Sequence, residues 1–221
     1  MGRNGVIAVV LVLLGGSVAA FAWTEKLKVS PVPVTKVRFV RHFSPTCECR
    51  RSTARLIFQV RHPERLDVSI VDADDAHVAT LAKGRDLSEG RVTFEWDGRD
   101  DDGRVVPDGA YRAKVRLEDD RRTILIPGPI NVDTVPPRAR VLSLQPGTGL
   151  DLRYSSSEAA RPFLFVDGKI VFRGERRHAG KAGLEWPGPW PGSGPHTASL
   201  VLVDRARNRS APTKPIVVQA N

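Results

Sequence analysis

The chain has 221 residues, of which 41% are hydrophobic and 27% are charged, and it contains 19 Gly and 17 Pro. This apolar content is too high for a disordered chain, and the Gly and Pro residues show no collagen-like period. Two Cys exclude a disulfide-stapled scaffold, and five His without an H-x-x-x-H pair leave little from which to build a zinc enzyme. The length has room for one large domain or two small ones.

Positive charge is concentrated in the C-terminal part of the chain, where it accounts for most of the net charge of +9. Residues 36–135 carry eighteen Lys and Arg against eighteen Asp and Glu, whereas residues 136–221 carry thirteen against six. The basic clusters of this part are Arg173, Arg176, Arg177 and Lys181, and further on Arg205, Arg207 and Arg209. They are either a solvated surface or contacts for anionic wall polymer or lipid head groups. The chain has no nucleic-acid-binding motif, so nucleic acid is not an expected partner.

The first 23 residues predict that the protein is exported. Residues 5–23 contain no charged side chain, and the run Val6–Leu14 is entirely aliphatic. About twenty apolar residues span a bilayer as a helix, so we expect a transmembrane anchor at 1–23 with the lipid bilayer as its partner. A cleaved signal peptide that ends with the A-F-A at Ala20–Ala22 is the alternative, and it would make the protein secreted or periplasmic. The Pro-containing residues 24–35 are predicted to be a stalk that holds the following domains outside the cell membrane.

The region after the stalk alternates between apolar and polar side chains. The alternation is clearest in residues 110–118, and it recurs in residues 53–61, 66–71 and 91–96. Such a period of two is typical of half-buried antiparallel strands. Short strands separated by turn residues predict β-sandwiches, and no window after the N-terminus has a convincing helical period. The predicted fold class is therefore all-β.

A turn-rich segment between two of these predicted strands has the pattern W-D-G-x-D-x-x-G-x-x-V-P-D-G-x-Y. Its defining residues are Trp96, Asp97, Gly98, Asp100, Gly103, Pro107, Asp108, Gly109 and Tyr111. Aspartates in such a segment cap their own backbone, and glycines supply positive φ angles. The pattern resembles the signature of FlgD-type bacterial Ig-like domains. The F-S-P at Phe43–Pro45 and the hairpin at residues 70–81 are similar to other parts of the family's pattern.

The resemblance covers residues 36–133, and we assign residues 36–135 to a FlgD-type Ig-like domain. It implies an immunoglobulin-like sandwich in an extracytoplasmic setting, and it implies no reaction. Nothing in these residues resembles the hook-assembly segment of the flagellar protein, so the resemblance does not extend to hook capping. The segment Thr46–Arg51 also replaces the Asn-, Asp- and Gly-rich loop of many members, which removes the oxygen ligands of any metal site in that loop.

A second all-β unit is predicted over residues 136–221, after a Pro-Pro pair. Its hairpin at residues 163–172 has Asp-Gly at the turn, which is a dipeptide that type I′ geometry favours. Residues 204–212 resemble the ending D-x-A-G-N-x-S-x-P of many bacterial Ig-like repeats, with Arg207 where Gly is usual. We therefore expect two tandem Ig-like or fibronectin-III-like β-sandwiches after the stalk.

Three further groups of side chains are candidate sites. Cys47 and Cys49 either form a local or an intermolecular disulfide, remain thiols, or bind a metal, for which the chain offers no second cysteine pair. Trp186 and Trp190 lie on a Pro- and Gly-rich loop, where they either stack on sugar rings or cover the end of a sandwich. The aspartates at residues 97–102 either bind calcium or form turns, and their spacing is not that of an EF-hand.

No catalytic pattern is visible in the sequence. It contains no nucleophile elbow, zinc-protease helix, P-loop or Rossmann glycine pattern. We expect a non-catalytic protein without a cofactor or a metal, with a structural, adhesive or envelope-binding role. Its expected partners are anionic wall polymer or another envelope protein, and the sequence leaves the oligomeric state open.

Overall fold

A computed structural model of the chain describes residues 12–18 and 33–220. Residues 12–18 are helical and exposed. Among the described residues, no helix has both the length and the apolar composition that a membrane crossing requires. The rest of the predicted anchor at 1–23, and most of the predicted stalk at 24–35, lie outside the described residues. Strand β1 (Val34–Phe39) begins inside the predicted stalk.

The first unit consists of two sheets that enclose one apolar cluster. After β1, its strands are β2 (His42–Phe43), β3 (Ala54–Val60), β4 (Glu64–Val71), β5 (His77–Leu87), β6 (Gly90–Trp96), β7 (Gly109–Leu117), β8 (Arg122–Leu125) and β9 (Ile130–Val132). One sheet has the order β1-β3-β6, and the other has the order β2-β9-β7-β4-β5 with β8 paired to β7. The short strands β2 and β9 run parallel, whereas the other neighbouring strands are antiparallel.

The alternation in the sequence determines which side chains form this core. On β7 the apolar residues Tyr111, Ala113, Val115 and Leu117 are buried. The residues between them are charged, and they are half-buried or exposed. The same pattern buries every second residue of β3 and most of β4. Full burial of one such large apolar side chain contributes roughly 1.5–3 kcal/mol. The prediction of an all-β fold is confirmed, because the alternating apolar side chains are the ones that the core buries.

The aromatic residues of the signature pack against one another. The ring of Trp96 lies edge-on to those of Phe43 and Tyr111, with centroid distances of 5.4 and 5.1 Å. The hydroxyl of Tyr111 donates a hydrogen bond to the carbonyl of Pro107 at 2.7 Å. Edge-on aromatic pairs add about 0.5–1.5 kcal/mol to the burial of their area. Residues that are up to 68 positions apart in the sequence therefore form one structural cluster.

The second unit also consists of two sheets around an apolar cluster of its own. Its strands are β10 (Ala139–Pro146), β11 (Leu150–Ser156), β12 (Arg161–Val166), β13 (Lys169–Arg173), β14 (Gly180–Trp186), β15 (Gly194–Val203) and β16 (Ile216–Ala220). One sheet has the order β10-β11-β14, and the other has the order β13-β12-β15-β16. Asp167 and Gly168 connect β12 to β13 with φ angles of 48° and 75°, and the type I′ turn requires two such positive values.

Side-chain hydrogen bonds connect the two units where they meet. The amide Nδ2 of Asn208 donates to the carbonyl of Asp133 at 2.8 Å. The guanidinium of Arg51 donates to the carbonyl of Arg205 at 3.3 Å. The connecting segment contains Pro136 and Pro137, whose rings restrict its φ angles. These two hydrogen bonds and the restricted connecting segment therefore hold the units together.

We expect Gly98→Ala to destabilise the first unit by about 1–3 kcal/mol. Gly98 has a φ of +76°, and an added Cβ would lie 2.5 Å from Cγ of Pro45. Gly103→Ala is the matched control, because Gly103 has a φ of +79° but open space around it. Urea denaturation should show a larger loss for Gly98→Ala than for Gly103→Ala. Equal losses would show that the contact with Pro45 contributes nothing.

Candidate functional site

The turn that follows β15, at residues 204–210, is closed by two residues. Asp204 accepts a hydrogen bond at Oδ1 from the backbone N–H of Asn208, at 2.9 Å, and a second at Oδ2 from Asn208 Nδ2, at 2.7 Å. The backbone N–H of Asp204 donates in turn to the carbonyl of Asn208. These bonds satisfy a carboxylate that is only 1% exposed. The path of the backbone is therefore fixed from within the turn.

Exposed arginines alternate with buried residues along this turn. The buried residues are Asp204, Ala206, Asn208 and Ser210. Arg205, Arg207 and Arg209 lie between them and are exposed. Arg207 has a φ of 80°, which is a left-handed conformation that suits Gly and is strained for a long side chain. The turn therefore presents three guanidinium groups from a rigid backbone.

Three further arginines of the second unit border the same hollow. Arg161 begins β12, Arg173 ends β13, and Arg176 follows three residues later. The half-buried Arg176 donates to the carbonyl of Ala159 at 3.3 Å and to the carbonyl of Asp204 at 3.2 Å. Its guanidinium is thereby tied to the backbone of the arginine-bearing turn.

The first unit contributes two more arginines through the loop between β2 and β3. In this loop the sulfur atoms of Cys47 and Cys49 are joined in a disulfide, with 5.2 Å between the two Cα atoms. Arg50 and Arg51 follow this bridge, and the backbone N–H of Arg51 donates to Sγ of Cys49 at 3.4 Å. The disulfide therefore fixes the loop directly before the arginine that contacts the second unit.

We call the hollow that these eight arginines border the junction groove. It has two adjoining parts of about 200 and 510 Å³. Arg51, Arg161 and Arg207 border both parts, together with the apolar side chains of Phe163 and Val203. The groove therefore combines basic side chains of both units around a small apolar surface.

The lining of the junction groove carries a large excess of positive charge. It contains no Asp or Glu. In the part of the chain that the structure describes, none of its eight arginines forms an ion pair with a carboxylate. Burial lowers the pKa of His42 at its edge, and the charges of Arg205 and Arg51 lower it further. Burial also lowers the pKa of Arg176, and Arg205 and Arg161 act in the same direction, whereas the nearby carboxylate of Asp204 raises the pKa of both groups. A bound anion would relieve this repulsion.

The basic residues predicted from the sequence fall into two separate places. Arg173 and Arg176 join the three arginines of the turn in the junction groove. Arg177 and Lys181 lie in another hollow, which two glutamates also line, so that its charge is mixed. The cluster from Arg173 to Lys181 is therefore continuous in sequence and divided in space.

Sequence reasoning missed Arg50, Arg51 and Arg161 as members of the site. Arg50 and Arg51 form a basic pair directly after the cysteines, which was the available signal. Nothing in the sequence shows that this pair faces the second unit, because the approach of the two units is a tertiary contact. Arg161 begins a strand and carries no local signal at all.

Of the two roles that the sequence leaves open for Trp186 and Trp190, the contacts of both rings favour packing against the sandwich. Trp186 is 6% exposed and belongs to the core of the second unit. Trp190 packs edge-on against it with a centroid distance of 5.0 Å, and it stacks on His196 at 5.5 Å. Its indole N–H donates to the carbonyl of Gly147 at 3.2 Å. The indole of Trp186 is therefore part of the core, and that of Trp190 packs on two rings of the same unit.

The aspartates of the signature segment form bonds within the fold. Oδ1 of Asp100 accepts from the backbone N–H groups of Asp102 and Arg104, at 3.0 and 2.8 Å. Oδ1 of Asp101 accepts from the backbone N–H of Thr80 at 2.7 Å. Oδ2 of Asp101 lies 2.7 Å from Nε2 of His77, and this contact is the main reason why the pKa of Asp101 is lowered. These carboxylates shape the turn and attach it to β5.

Two groups of side chains in the described part of the chain lie close enough to hold a metal ion. They are His62, Glu64 and Asp120, and Asp133, Glu158 and Asp204. Within each group, one ligand atom per residue lies within 4.8 Å of the others. In the first group, Oε2 of the buried Glu64 has no hydrogen-bond partner. Exposed acidic groups often lie this close without an ion. None of these six residues is among those that line the junction groove.

The second of these groups lies where the two units meet. Asp133 ends the first unit, whereas Glu158 and Asp204 belong to loops of the second. Burial raises the pKa of Glu158 to about 7, and the negative charges of Asp133 and Asp204 contribute. Burial and Asp204 also raise the pKa of Asp133. The ionised carboxylates therefore repel one another across the junction.

The geometry defines a protein of two tandem β-sandwiches with a basic site between them. Residues 52–120 match the family model described as FlgD Ig-like domain. This part of the chain is a FlgD Ig-like domain, as its signature predicts. The match is narrower than the predicted boundaries of 36–135, and it does not extend to the second unit. No curated protein matches the chain.

Solved structures resemble the chain only distantly. FlgD from P. aeruginosa has 20% sequence identity over 56% of this chain and 87% of its own, with a TM-score of 0.33. The ligand-binding domain of human OSCAR has 15% identity over 84% of this chain and 96% of its own, with a TM-score of 0.35. The BSP domain of a biofilm-associated protein has 10% identity over 85% of this chain and 30% of its own, with a TM-score of 0.32. Identities and TM-scores this low indicate no function for the chain.

We expect stability to fall as the pH rises from about 4.5 to 7. The native pKa of Glu158 is about 7 and its ordinary value is 4.5, so the native state binds the proton more tightly than the unfolded state in this interval. The stabilisation is complete below the ordinary pKa and is lost as the pH rises through the native one. Glu158→Gln should remove this part of the pH dependence.

Thermal unfolding of the full chain and of Glu158→Gln, recorded at several pH values with a chelator present, checks the effect. The difference in melting temperature between the two proteins should grow with pH in favour of the variant. The groups that face Glu158 are Asp133, Asp204 and the guanidinium of Arg176, which bonds to the neighbouring Ala159, and they are the same in both proteins. Parallel pH profiles would contradict the assignment.

Proposed function

We propose that this protein is an exported, non-catalytic protein of the bacterial envelope that contacts anionic material through its basic second unit. The observation that carries the proposal is the junction groove, in which eight arginines have no carboxylate partner among the described residues. Concentrated positive charge attracts polyanions and raises their rate of association. Wall polymer and lipid head groups are the anions that an exported protein meets.

Export is supported by the sequence and by the family match. The uncharged residues 5–23 have the composition of a membrane anchor, and we propose that they hold the chain in the cell membrane as a single span. The FlgD Ig-like domain suits a surface or flagellum-related protein. The disulfide between Cys47 and Cys49 is of a kind that persists in oxidising compartments outside the cytosol.

A non-catalytic role is supported by the way in which the polar side chains are used. The aspartates of the signature are bonded to backbone groups, as are Asp204 and Asn208 in the turn. An Ig-like sandwich supplies a rigid scaffold, and its function resides in the surfaces that it presents. We therefore propose a structural, adhesive or envelope-binding role rather than a reaction.

Cell fractionation of the full chain with a C-terminal tag tests the location. We expect the tag in the membrane fraction, released by detergent and not by high salt, and accessible to protease from outside the cytoplasmic membrane. A soluble extracytoplasmic protein that lacks Met1–Ala22 would instead establish the alternative, a secreted or periplasmic binding subunit of an envelope complex. Recovery of the tag from the cytosol would contradict both forms of the proposal.

Retention on isolated anionic wall material tests the binding. The full chain, held in neutral phosphatidylcholine nanodiscs, should be retained at low ionic strength and released as salt is added, because exposed charges are screened over about 10 Å at 0.1 M. Arg55→Gln is a charge-matched control, since Arg55 lies on β3 and is paired with Glu95 at 2.7 Å. This variant should be retained like the parent chain. Retention that does not depend on salt would refute an electrostatic contact.

A further inference from the structure

We propose that the junction groove binds the phosphate groups of a linear polymer, which thereby contacts both units at once. This inference rests on the proposed function, because it names the ligand class of the same basic face. It adds that the site belongs to neither unit alone. Arg50 and Arg51 come from the first unit, and Arg205, Arg207 and Arg209 come from the second.

The chemistry of the lining favours phosphate. Every basic residue that borders the groove is an arginine, apart from His42 at one edge. A guanidinium group presents a planar fork of donors that bonds to two oxygens of one phosphate. The tetrahedral oxygens of a phosphate can accept from guanidinium groups that approach from different directions, whereas a carboxylate accepts mainly in one plane. The groove supplies such converging groups from Arg51 on one unit and Arg207 on the other.

The shape of the groove favours a chain over a flat membrane. Its two parts adjoin along Arg51, Arg161 and Arg207, and each part continues to arginines of its own. Arg176 and Arg205 border only the smaller part. Arg50, Arg173 and Arg209 border only the larger part. A polymer with a phosphate at each repeat can place successive phosphates in both parts. A flat bilayer surface touches the rim of a hollow and not its interior.

The backbone of Arg207 is a second observation that supports a role for its side chain. Arg207 has the largest positive φ among the non-glycine residues that the structure describes. The hydrogen bonds between Asp204 and Asn208 impose this conformation, which Gly would adopt without strain. An arginine at this position destabilises the turn and adds a cation that borders both parts of the groove. Strained residues of this kind are concentrated at functional sites.

The contacts between the units give a bound polymer a structural consequence. Arg51 already donates to the carbonyl of Arg205 across the junction. Arg51 also lines the same hollow as Arg161 and Arg207. A phosphate that accepts from arginines of both units would therefore hold the two sandwiches in one relative orientation.

The test measures binding of long-chain inorganic polyphosphate to the full chain in phosphatidylcholine nanodiscs. Four variants are compared with the parent chain. Arg207→Gln, Arg207→Gly and Arg50→Gln change the groove, and Arg177→Gln, which lies outside the groove, is the charge-matched control. Each groove variant should weaken binding roughly threefold to tenfold and reduce the salt dependence by about one phosphate contact. Arg177→Gln should bind like the parent chain.

Arg207→Gly should also raise the melting temperature by about 2–4 °C relative to Arg207→Gln, because Gly relieves the strained φ.

The outcomes distinguish the groove from the wider proposal. If Arg177→Gln weakens binding as much as the groove variants do, surface charge alone binds the polymer and the groove proposal is wrong, while the proposed function stands. If nanodiscs that contain phosphatidylglycerol are bound and polyphosphate is not, the ligand is a lipid surface and the polymer proposal is wrong. If inorganic phosphate at millimolar concentration competes as well as the polymer, the extended site is refuted. If the chain binds no anion at low salt, the proposed function fails as well.

Discussion

The hydrogen bonds between Asp204 and Asn208 are the constraint on which the junction groove depends. A buried carboxylate is stable only when its oxygens are bonded, and here the backbone and the side-chain amide of Asn208 supply both bonds. The same amide donates to the carbonyl of Asp133, so one side chain closes the turn and attaches it to the first unit. These hydrogen bonds fix the backbone of the turn, so the exposed arginines need no contacts of their own to hold it. A rigid backbone of this kind reduces the conformational entropy that the protein itself would lose on binding a ligand.

The two kinds of charge are separated at the junction. The carboxylates of Asp133, Glu158 and Asp204 form one cluster, and the arginines gather in the groove. Arg176 connects the two regions, because it donates to the backbone carbonyls of Ala159 and Asp204 and not to a carboxylate. The Asp204 carboxylate therefore offsets only part of the positive charge near Arg176, whose pKa remains lowered. Repulsion within each cluster is tolerated because apolar burial in the two cores supplies most of the stability, and it leaves each cluster sensitive to a ligand or to protons.

The FlgD Ig-like signature is a packing motif in this protein. Phe43, Trp96 and Tyr111 pack edge-on in sequence order across the first core, and Pro45 closes against Gly98. The aspartates between them serve the backbone of the connecting turn. The motif therefore closes the sandwich, whereas the proposed binding surface lies in other loops. The loop that contains Cys47 and Cys49 connects the signature to the junction groove, because it directly follows the Phe-Ser-Pro segment and borders the groove.

The amino-acid sequence contains enough information to predict the strands and turns whose signals are local. Alternation identified β3, β4, β6 and β7, and the Asp-Gly pair identified the hairpin of β12 and β13. Other strands were missed for physical reasons: β10 is interrupted by a bulge, and glycines weaken the pattern of β14. β11 does alternate, and its apolar residues are buried. The basic cluster after β15 is also a local feature of the sequence, which identifies it as a candidate anion contact. The grouping of Arg50, Arg51 and Arg161 with them, and the packing of Trp190 on Trp186, depend on how separate strands and two units approach one another. Sequence patterns report which face a side chain occupies, because that follows from the period of the backbone, but only the folded chain brings together residues that are more than 100 positions apart.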